Sequence, residues 1–242
     1  MSILVVADVH ANLEAFQAVI KDAESQGRID SIWSLGDIVG YGPDPCASID
    51  LLRSYNHLSV VGNHDLAAIR AVGLENFNLL AAAAASWTAT ELREADKAWL
   101  RSLPEVLVEG DFSLVHGSLR DPVWEYLLST VVARAHFEKQ NTPYGLVGHS
   151  HIPFVLFEGA EGQSVLGRPG PIVNMAVPRF VINPGSVGQP RDSDPRAAYA
   201  LLNTTLGCVE FHRVAYDIGR TQQKMRAAGL PSYLGERLAE GH

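Results

Sequence analysis

The chain has 242 residues, of which 47% are hydrophobic and 19% charged, and its formal net charge is -8. This length suits one ordinary domain, which we expect over residues 1–242, with a core that needs no disulfides. No apolar run is long enough to cross a bilayer. The chain is acidic and has no basic stripe, which argues against a nucleic-acid partner. The N-terminus lacks the basic segment of a signal peptide, so we expect a cytoplasmic protein.

The first half of the chain alternates predicted strands and helices. Short apolar runs predict strands at residues 2–7, 32–35 and 58–61. Apolar side chains at helical spacing predict a helix from Leu13 that ends at Gly27, and further helical patterns cover residues 46–54 and 76–103, the last of them stopped by Pro104.

The second half is rich in short β-prone runs that Gly, Pro and Asn separate. These predicted strands are residues 106–108, 112–115, 145–147, 154–157, 172–175, 180–182, 199–203 and 208–214. Helical segments follow at about residues 216–228 and 233–239. A first half of βαβ character and a strand-rich second half predict a layered α/β sandwich with mixed sheets.

Side chains able to bind metals follow five of the predicted strands, usually beside a glycine. Since the carboxyl ends of strands form the ligand crevice of open α/β sheets, we expect these groups to lie close together. Each motif alone has a plainer explanation, such as a helix cap, a turn or surface histidines. The repetition of one pattern favours a shared site. The residues are Asp8, His10, Asp37, Asn63, His64, Asp65, His116, His149 and His151.

The order of these motifs resembles that of the calcineurin-like metallophosphoesterase superfamily. The resemblance runs through Asp8-Val-His10, Gly36-Asp37, Gly62-Asn63-His64-Asp65, His116-Gly117 and Gly148-His149-Ser150-His151. The segment Asn183-Pro184-Gly185-Ser186-Val187 extends it toward small bacterial phosphodiesterases of this superfamily. One position departs, because Ala11 stands where many relatives have glycine. The resemblance implies a four-layer α/β/β/α sandwich.

The resemblance also implies two divalent metal ions. Nitrogen and oxygen ligands without a thiolate suit Mn, Fe, Zn, Co or Ni, of which we favour Mn. His64 matches the family's catalytic histidine, and Asp65 the acidic neighbour that orients it. The implied metal ligands are Asp8, His10 and His151 for the first ion, Asn63, His116 and His149 for the second, and Asp37 as the bridge.

Such a pair of metals suits the hydrolysis of phosphate esters. It can activate a bridging water for in-line attack on phosphorus, while His64 protonates the leaving oxygen or stabilises charge on the phosphoryl oxygens. We expect an enzyme acting on a small phosphodiester or monoester. Dinucleoside polyphosphates, phosphoproteins and a non-enzymatic metal-binding role are the alternatives. Residues 124–126 are a candidate aromatic wall for a nucleobase. The oligomeric state is left open.

Five further residues are candidates for substrate contacts, and each has a plainer alternative. Asn12 either touches a phosphate oxygen or caps the first helix. Tyr41 lies in a loop rich in Gly and Pro, which is either a substrate rim or simply a structured loop. Asn183 and Ser186 form a turn beside the metals, or only a turn. Arg191 either pairs with a phosphate or lies in a solvated loop.

Overall fold

The computed structural model describes residues 1–159, 164–167, 169–176 and 179–242. Its strands are β1 (Ser2–Val6), β2 (Ser31–Ser34), β3 (His57–Ser59), β4 (Val106–Glu109), β5 (Phe112–Val115), β6 (Tyr144–Leu146), β7 (Phe154–Glu158), β8 (Ser164–Gly167), β9 (Ile172–Asn174), β10 (Phe180–Asn183), β11 (Ala197–Asn203) and β12 (Cys208–Val214). Its helices are α1 (Leu13–Gln26), α2 (Pro45–Arg53), α3 (Asn63–Ala68), α4 (Leu79–Glu91), α5 (Glu94–Ser102), α6 (Thr130–Lys139), α7 (Ile218–Ala227) and α8 (Ser232–Glu236), and a 3₁₀ turn at Arg237–Ala239 follows α8.

The strands form two mixed sheets of six. The first sheet has the order β3-β2-β1-β11-β12-β9, and the second has the order β4-β5-β6-β10-β7-β8. In the first sheet β1, β2 and β3 run parallel, and in the second β5, β6 and β10 run parallel. The remaining pairings are antiparallel. Each sheet therefore has a parallel part whose strands end at one edge.

The two sheets pack face to face, and helices cover their outer faces. Alternate residues of the strands, such as Ile3, Val5 and Leu114, fill the core between the sheets. Their neighbours Leu4 and Val6 point the other way, into a core with α1, α2 and α5. On the far side, α6 packs on the second sheet. The predicted four-layer α/β/β/α sandwich with mixed sheets is confirmed.

A further apolar cluster, here called the C-terminal cluster, joins the last two helices to α4. Its position matters for the site because it also contains Tyr41, from the loop that follows β2. The buried members are Tyr41, Ala81, Ala84, Met225, Leu230, Leu234 and Leu238. The C-terminal helices are thus packed beside a loop that leads away from the parallel strands.

Three elements were not predicted, and one predicted element is divided. The helical pattern at residues 76–103 is two helices, because the chain is extended at Leu92 and Arg93, where the Asp96 carboxylate accepts the Arg93 N–H. The helix α6 was not predicted, because its buried face is small and gives a weak apolar pattern. Even the apolar side chain of Val131 is 72% exposed. The unpredicted α3 and β8 are short, and β3 ends at Ser59, before the predicted limit. Among the described residues, no helix combines the length and apolar character that crossing a bilayer requires.

Candidate metal centre

The seven predicted metal ligands lie together at the carboxyl ends of the parallel strands of both sheets. The first sheet contributes four of them, from the turns after β1, β2 and β3, and the second sheet contributes three, from the turns after β5 and β6. Each is at most 5% exposed. They are Asp8, His10, Asp37, Asn63, His116, His149 and His151.

One group of ligand atoms forms the first cluster. His10 Nε2 lies 3.1 Å from His151 Nε2 and 3.9 Å from Asp8 Oδ1. His151 Nε2 lies 3.4 Å from the same Asp8 oxygen. The three side chains therefore converge on one point with two nitrogens and one oxygen, as the resemblance implies for the first ion.

The second cluster lies beside the first, and Asp37 belongs to both. His116 Nε2 lies 3.1 Å from Asn63 Oδ1 and 3.1 Å from His149 Nδ1. Asp37 Oδ2 lies 3.4 Å from His116 Nε2 and 3.7 Å from His10 Nε2. One carboxylate oxygen thus stands between the two groups, where a bridging ligand is needed.

The outer nitrogens of the four imidazoles all face backbone carbonyls. His10 Nδ1 lies 3.2 Å from the Val39 oxygen, and His151 Nδ1 lies 2.6 Å from the Gln189 oxygen. His116 Nδ1 and His149 Nε2 face the carbonyl oxygens of Leu35 and Trp124. A ring that donates to a carbonyl presents the lone pair of its other nitrogen, which is the arrangement usual for metal-binding histidines. Two imidazole nitrogens whose lone pairs face each other at 3.1 Å repel, and a cation between them removes this repulsion.

Two buried carboxylate oxygens point into the clusters and have no hydrogen-bond partner among the residues that the structure describes. These atoms are Asp8 Oδ1 and Asp37 Oδ2. The other oxygen of each side chain is held by a backbone N–H, from His149 to Asp8 at 3.1 Å and from His64 to Asp37 at 2.8 Å. Burying an unpaired carboxylate oxygen is costly unless it meets a cation or a donor. The donor set therefore fits two divalent metal ions.

The electrostatics of the clusters also favour cations. Burial raises the pKa of the Asp8 carboxyl to about 7. Burial by itself lowers the pKa of His116, but the negative charges of Asp37 and Asp8 outweigh it and raise that pKa to about 9. A metal ion and a proton therefore compete for the same His116 nitrogen, so metal binding should release protons.

Several of these residues hold the backbone in the left-handed region. The φ angles are 54° at Asp8, 49° at His10, 53° at Asp37, 65° at His149 and 60° at His151. This conformation costs about 1–3 kcal/mol for a residue other than glycine, and it persists only where the surrounding structure enforces it. The strain turns five side chains inward and marks a functional site.

Ala11, the one departure from the family pattern, adopts the same left-handed conformation, with a φ of 52°. Glycine reaches this region without the steric penalty that a Cβ brings. The preference of relatives for glycine at this position thus has a backbone explanation, and the alanine leaves the ligands on either side in place.

His64 lies at the edge of both clusters. Its ring is 4.9 Å from that of His10, 4.3 Å from Tyr41 and 5.0 Å from Phe77, measured between centroids. Burial lowers its pKa to about 4, so the imidazole is neutral at neutral pH, with one N–H to donate. Its Nδ1 has no hydrogen-bond partner among the described residues.

The structure corrects the expectation that Asp65 orients the His64 ring. The Asp65 carboxylate accepts backbone N–H groups from Asp37 at 2.8 Å, Val39 at 3.1 Å and Gly62 at 3.0 Å. Within the described chain it makes no hydrogen bond to the imidazole. Since the carboxylate points to the backbone, Asp65 stabilises the turn that carries Asp37 and does not set the orientation of the His64 ring by direct contact.

Replacing Asp65 with alanine should lower the free energy of unfolding of the metal-free protein by about 3 kcal/mol or more, because three buried backbone N–H groups would lose their acceptor. Urea denaturation measures this change. The control is Asp217→Ala, which removes one cap contact, to the Arg220 N–H, and should cost about 1 kcal/mol. A loss no larger than that of the control would contradict the role given to Asp65.

Three candidate substrate residues have structural partners instead. Asn12 Oδ1 accepts the Ala15 N–H at the start of α1, and its amide donates to the Gly188 oxygen, so the helix-cap alternative is correct. The Asn183 amide holds the Gly148 oxygen at 2.6 Å. The Ser186 hydroxyl donates to the Asp8 carbonyl oxygen at 2.8 Å. These side chains shape the turns beneath the two clusters.

Tyr41 and Arg191, the other two candidates, line a cavity of about 370 Å³ that opens over the clusters. Its aromatic residues include Trp124, predicted as part of a wall, and Tyr126, whose ring stacks on His149 at 4.0 Å. The remaining residues around it, which the sequence reasoning missed, belong to the segment before α4, to α4 itself and to the C-terminal turn. They are Asn76, Phe77, Asn78, Ala81 and Arg237.

Comparison with known proteins decides the family. Residues 1–207 match the model of the calcineurin-like phosphoesterase superfamily domain. The chain belongs to this superfamily. A metallophosphoesterase from Sphaerobacter thermophilus has 45% identity, a TM-score of 0.89 and coverage of 100% of this chain and 99% of the other. The uncharacterized protein MJ0912 of Methanocaldococcus jannaschii is 39% identical, over 99% of this chain and 98% of its own length.

More distant relatives carry a named activity. A symmetrical bis(5'-nucleosyl)-tetraphosphatase of Aromatoleum aromaticum is 28% identical over 55% of this chain and 50% of its own length. The match thus spans about half the length of that relative. Family membership makes this calcineurin-like phosphoesterase a phosphoric ester hydrolase, and its buried His and Asp clusters are its candidate metal ligands.

Proposed function

We propose that this phosphoesterase uses two divalent metal ions to hydrolyse a small phosphodiester or monoester. The observation that carries the proposal is the position of Asp37 Oδ2, which lies between two groups of metal-binding atoms and has no hydrogen-bond partner within the described part of the chain. Asp8, His10 and His151 would hold one ion. Asn63, His116 and His149 would hold the other, with Asp37 shared. We favour Mn, for which this nitrogen and oxygen set is suitable.

Bound there, the ions would polarise the phosphoryl group and acidify the attacking water. The chain's own residues would bind and orient the ester. His64, neutral at neutral pH because burial lowers its pKa, would donate an N–H to a phosphoryl oxygen or to the leaving oxygen. This favours charge stabilisation over full proton transfer as the role of His64, because a ring with a lowered pKa carries no extra proton at neutral pH.

The cavity supports a small substrate. Its volume of about 370 Å³ is that of a pocket for a nucleotide-sized molecule and not of a groove for a folded phosphoprotein. Phe77, Trp124 and Tyr126 give one part of it an aromatic lining on which a nucleobase could stack. The named activity of the tetraphosphatase relatives makes a dinucleoside polyphosphate the second candidate.

A substrate panel tests the proposal. Purified enzyme stripped of metal and reloaded with Mn²⁺ is assayed on bis(p-nitrophenyl) phosphate, p-nitrophenyl phosphate, cyclic nucleotides and dinucleoside polyphosphates. We expect two metal equivalents per chain, and turnover of at least one ester that stops on chelation and returns with Mn²⁺. Turnover that survives complete removal of metal, or two bound equivalents with no turnover of any ester, would contradict it.

A further inference from the structure

The cavity above the candidate metal centre has two arginines that form no ion pair with an Asp or Glu side chain among the described residues. Arg191 and Arg237 both line it, and both are partly buried. By contrast, Arg120, Arg179 and Arg213 each pair with an Asp or Glu carboxylate. Two partly buried guanidinium groups without such a side-chain partner are suited to an anionic ligand.

Arg191 is held on the side of the cavity formed by His151. The Gln189 carbonyl faces His151 Nδ1 at 2.6 Å, and the Gln189 side-chain oxygen accepts an N–H from Arg191 Nη2 at 2.8 Å. The guanidinium also lies 5.9 Å from the centre of the Tyr41 ring. One residue thus links a candidate metal ligand to the arginine, so the position of Arg191 relative to the first cluster is fixed.

Arg237 reaches the same cavity from the C-terminal end of the chain. It begins the 3₁₀ turn after α8, and the flanking residues Leu234 and Leu238 are buried in the C-terminal cluster beside Tyr41. Its Nε donates to an oxygen of His242, the last residue, and the Nη groups make no hydrogen bond to another described residue. Burial and then the positive charge of Arg191 lower the pKa of Arg237, as expected for neighbouring cations.

We propose that Arg191 and Arg237 bind a second phosphate group of the substrate, on the His151 side of the metal centre, so that the enzyme prefers esters with two phosphates to esters with one. This inference rests on the proposed function. Guanidinium forks match the geometry of phosphate oxygens, and two of them match the double charge of a phosphate. Arg237 lies beyond residues 1–207, which match the family model.

The aromatic residues set the direction in which such a substrate lies. Tyr126 stacks on His149, and Trp124 offers its carbonyl oxygen to the same histidine at 3.1 Å, so the aromatic lining is on the side of the second cluster. The arginines are on the side of the first cluster. The phosphoryl group under attack therefore lies between an aromatic group at one end and the second phosphate at the other.

Two measurements on the Mn²⁺-loaded enzyme test the arginine pair. The first is the ratio of kcat/KM for ADP to that for p-nitrophenyl phosphate, and the second is inhibition by inorganic pyrophosphate relative to inorganic phosphate. In Arg237→Gln and Arg191→Gln, both preferences should fall about 10- to 100-fold, the range expected for lost charge-assisted hydrogen bonds. The matched control is Arg226→Gln, an exposed arginine on α7 outside the cavity, which should keep both ratios.

The outcomes separate this inference from the proposed function. If Arg237→Gln lowers neither preference, or lowers phosphate and pyrophosphate binding equally, the second-phosphate site is wrong while hydrolysis still stands. If the wild-type enzyme hydrolyses no ester, the proposed function is wrong, and the pyrophosphate-to-phosphate binding ratio, measured by calorimetry, still decides the role of the pair. Thermal melting of each variant identifies any loss that is due to unfolding.

Discussion

Replacing Asp37 with alanine is expected to remove firm binding of at least one metal ion and to lower kcat/KM by about 10³-fold or more. The size of the decrease in kcat/KM follows from the several kcal/mol of transition-state stabilisation that a catalytic metal supplies. Asp37 Oδ2 approaches both clusters, at 3.7 Å from His10 Nε2 and 3.4 Å from His116 Nε2. Metal analysis by mass spectrometry and steady-state kinetics measure the two losses.

Two further variants test whether the loss of metal is specific to the Asp37 carboxylate. Asp37→Asn keeps an oxygen for the His64 N–H but removes the charge, so it should bind metal more weakly than the wild type while staying folded. Asp44→Ala, on the same loop, removes an aspartate that pairs with Lys224 and should keep both metal equivalents. Two firmly bound equivalents in Asp37→Ala would show that this residue is not the bridge.

Replacing His64 with alanine is expected to lower kcat by about 10²- to 10³-fold, the loss typical when one hydrogen-bond donor to a developing negative charge is removed, while metal content stays at the wild-type level. Geometry explains why kcat should fall while the metal content stays unchanged. The His64 ring lies at the edge of the clusters and lines the cavity, whereas the four other imidazoles are tied to backbone carbonyls with their free nitrogens turned inward.

The control for His64 is His57→Ala, a partly buried histidine on β3 outside the cavity, for which near-wild-type turnover is expected. Wild-type turnover by His64→Ala on every active substrate would remove its catalytic role. Loss of a metal equivalent in His64→Ala would instead make His64 a ligand, since one of its ring nitrogens lies within 4.8 Å of ligand atoms of His10 and Asp37.

The metal-binding residues could be predicted from the sequence because strand ends are local features. Asp8 and His116 directly follow short apolar runs, and such runs predict buried strands without knowledge of their neighbours. Parallel strands then bring their carboxyl ends to one edge. The resemblance supplied the pairing of residues into clusters, and the structure places those side chains together.

Other parts of the site depend on contacts that no local pattern contains. Arg237 reaches the cavity because Leu234 and Leu238 pack against α4, far away in the chain. Asn12 was equally suited to two roles, and only its contacts with Ala15 and Gly188 distinguish them. The resemblance implied that Asp65 orients His64, but the Asp65 carboxylate is turned toward the backbone of the neighbouring loop.

The distribution of the ligands over the two sheets has a mechanical consequence. Each cluster takes side chains from both sheets: Asp8 and His10 meet His151, and Asp37 and Asn63 meet His116 and His149. A bound ion would therefore cross-link the two sheets and close the loop of chain between Asp8 and His151. Metal binding would then stabilise the folded protein against separation of the sheets, in addition to any part in catalysis.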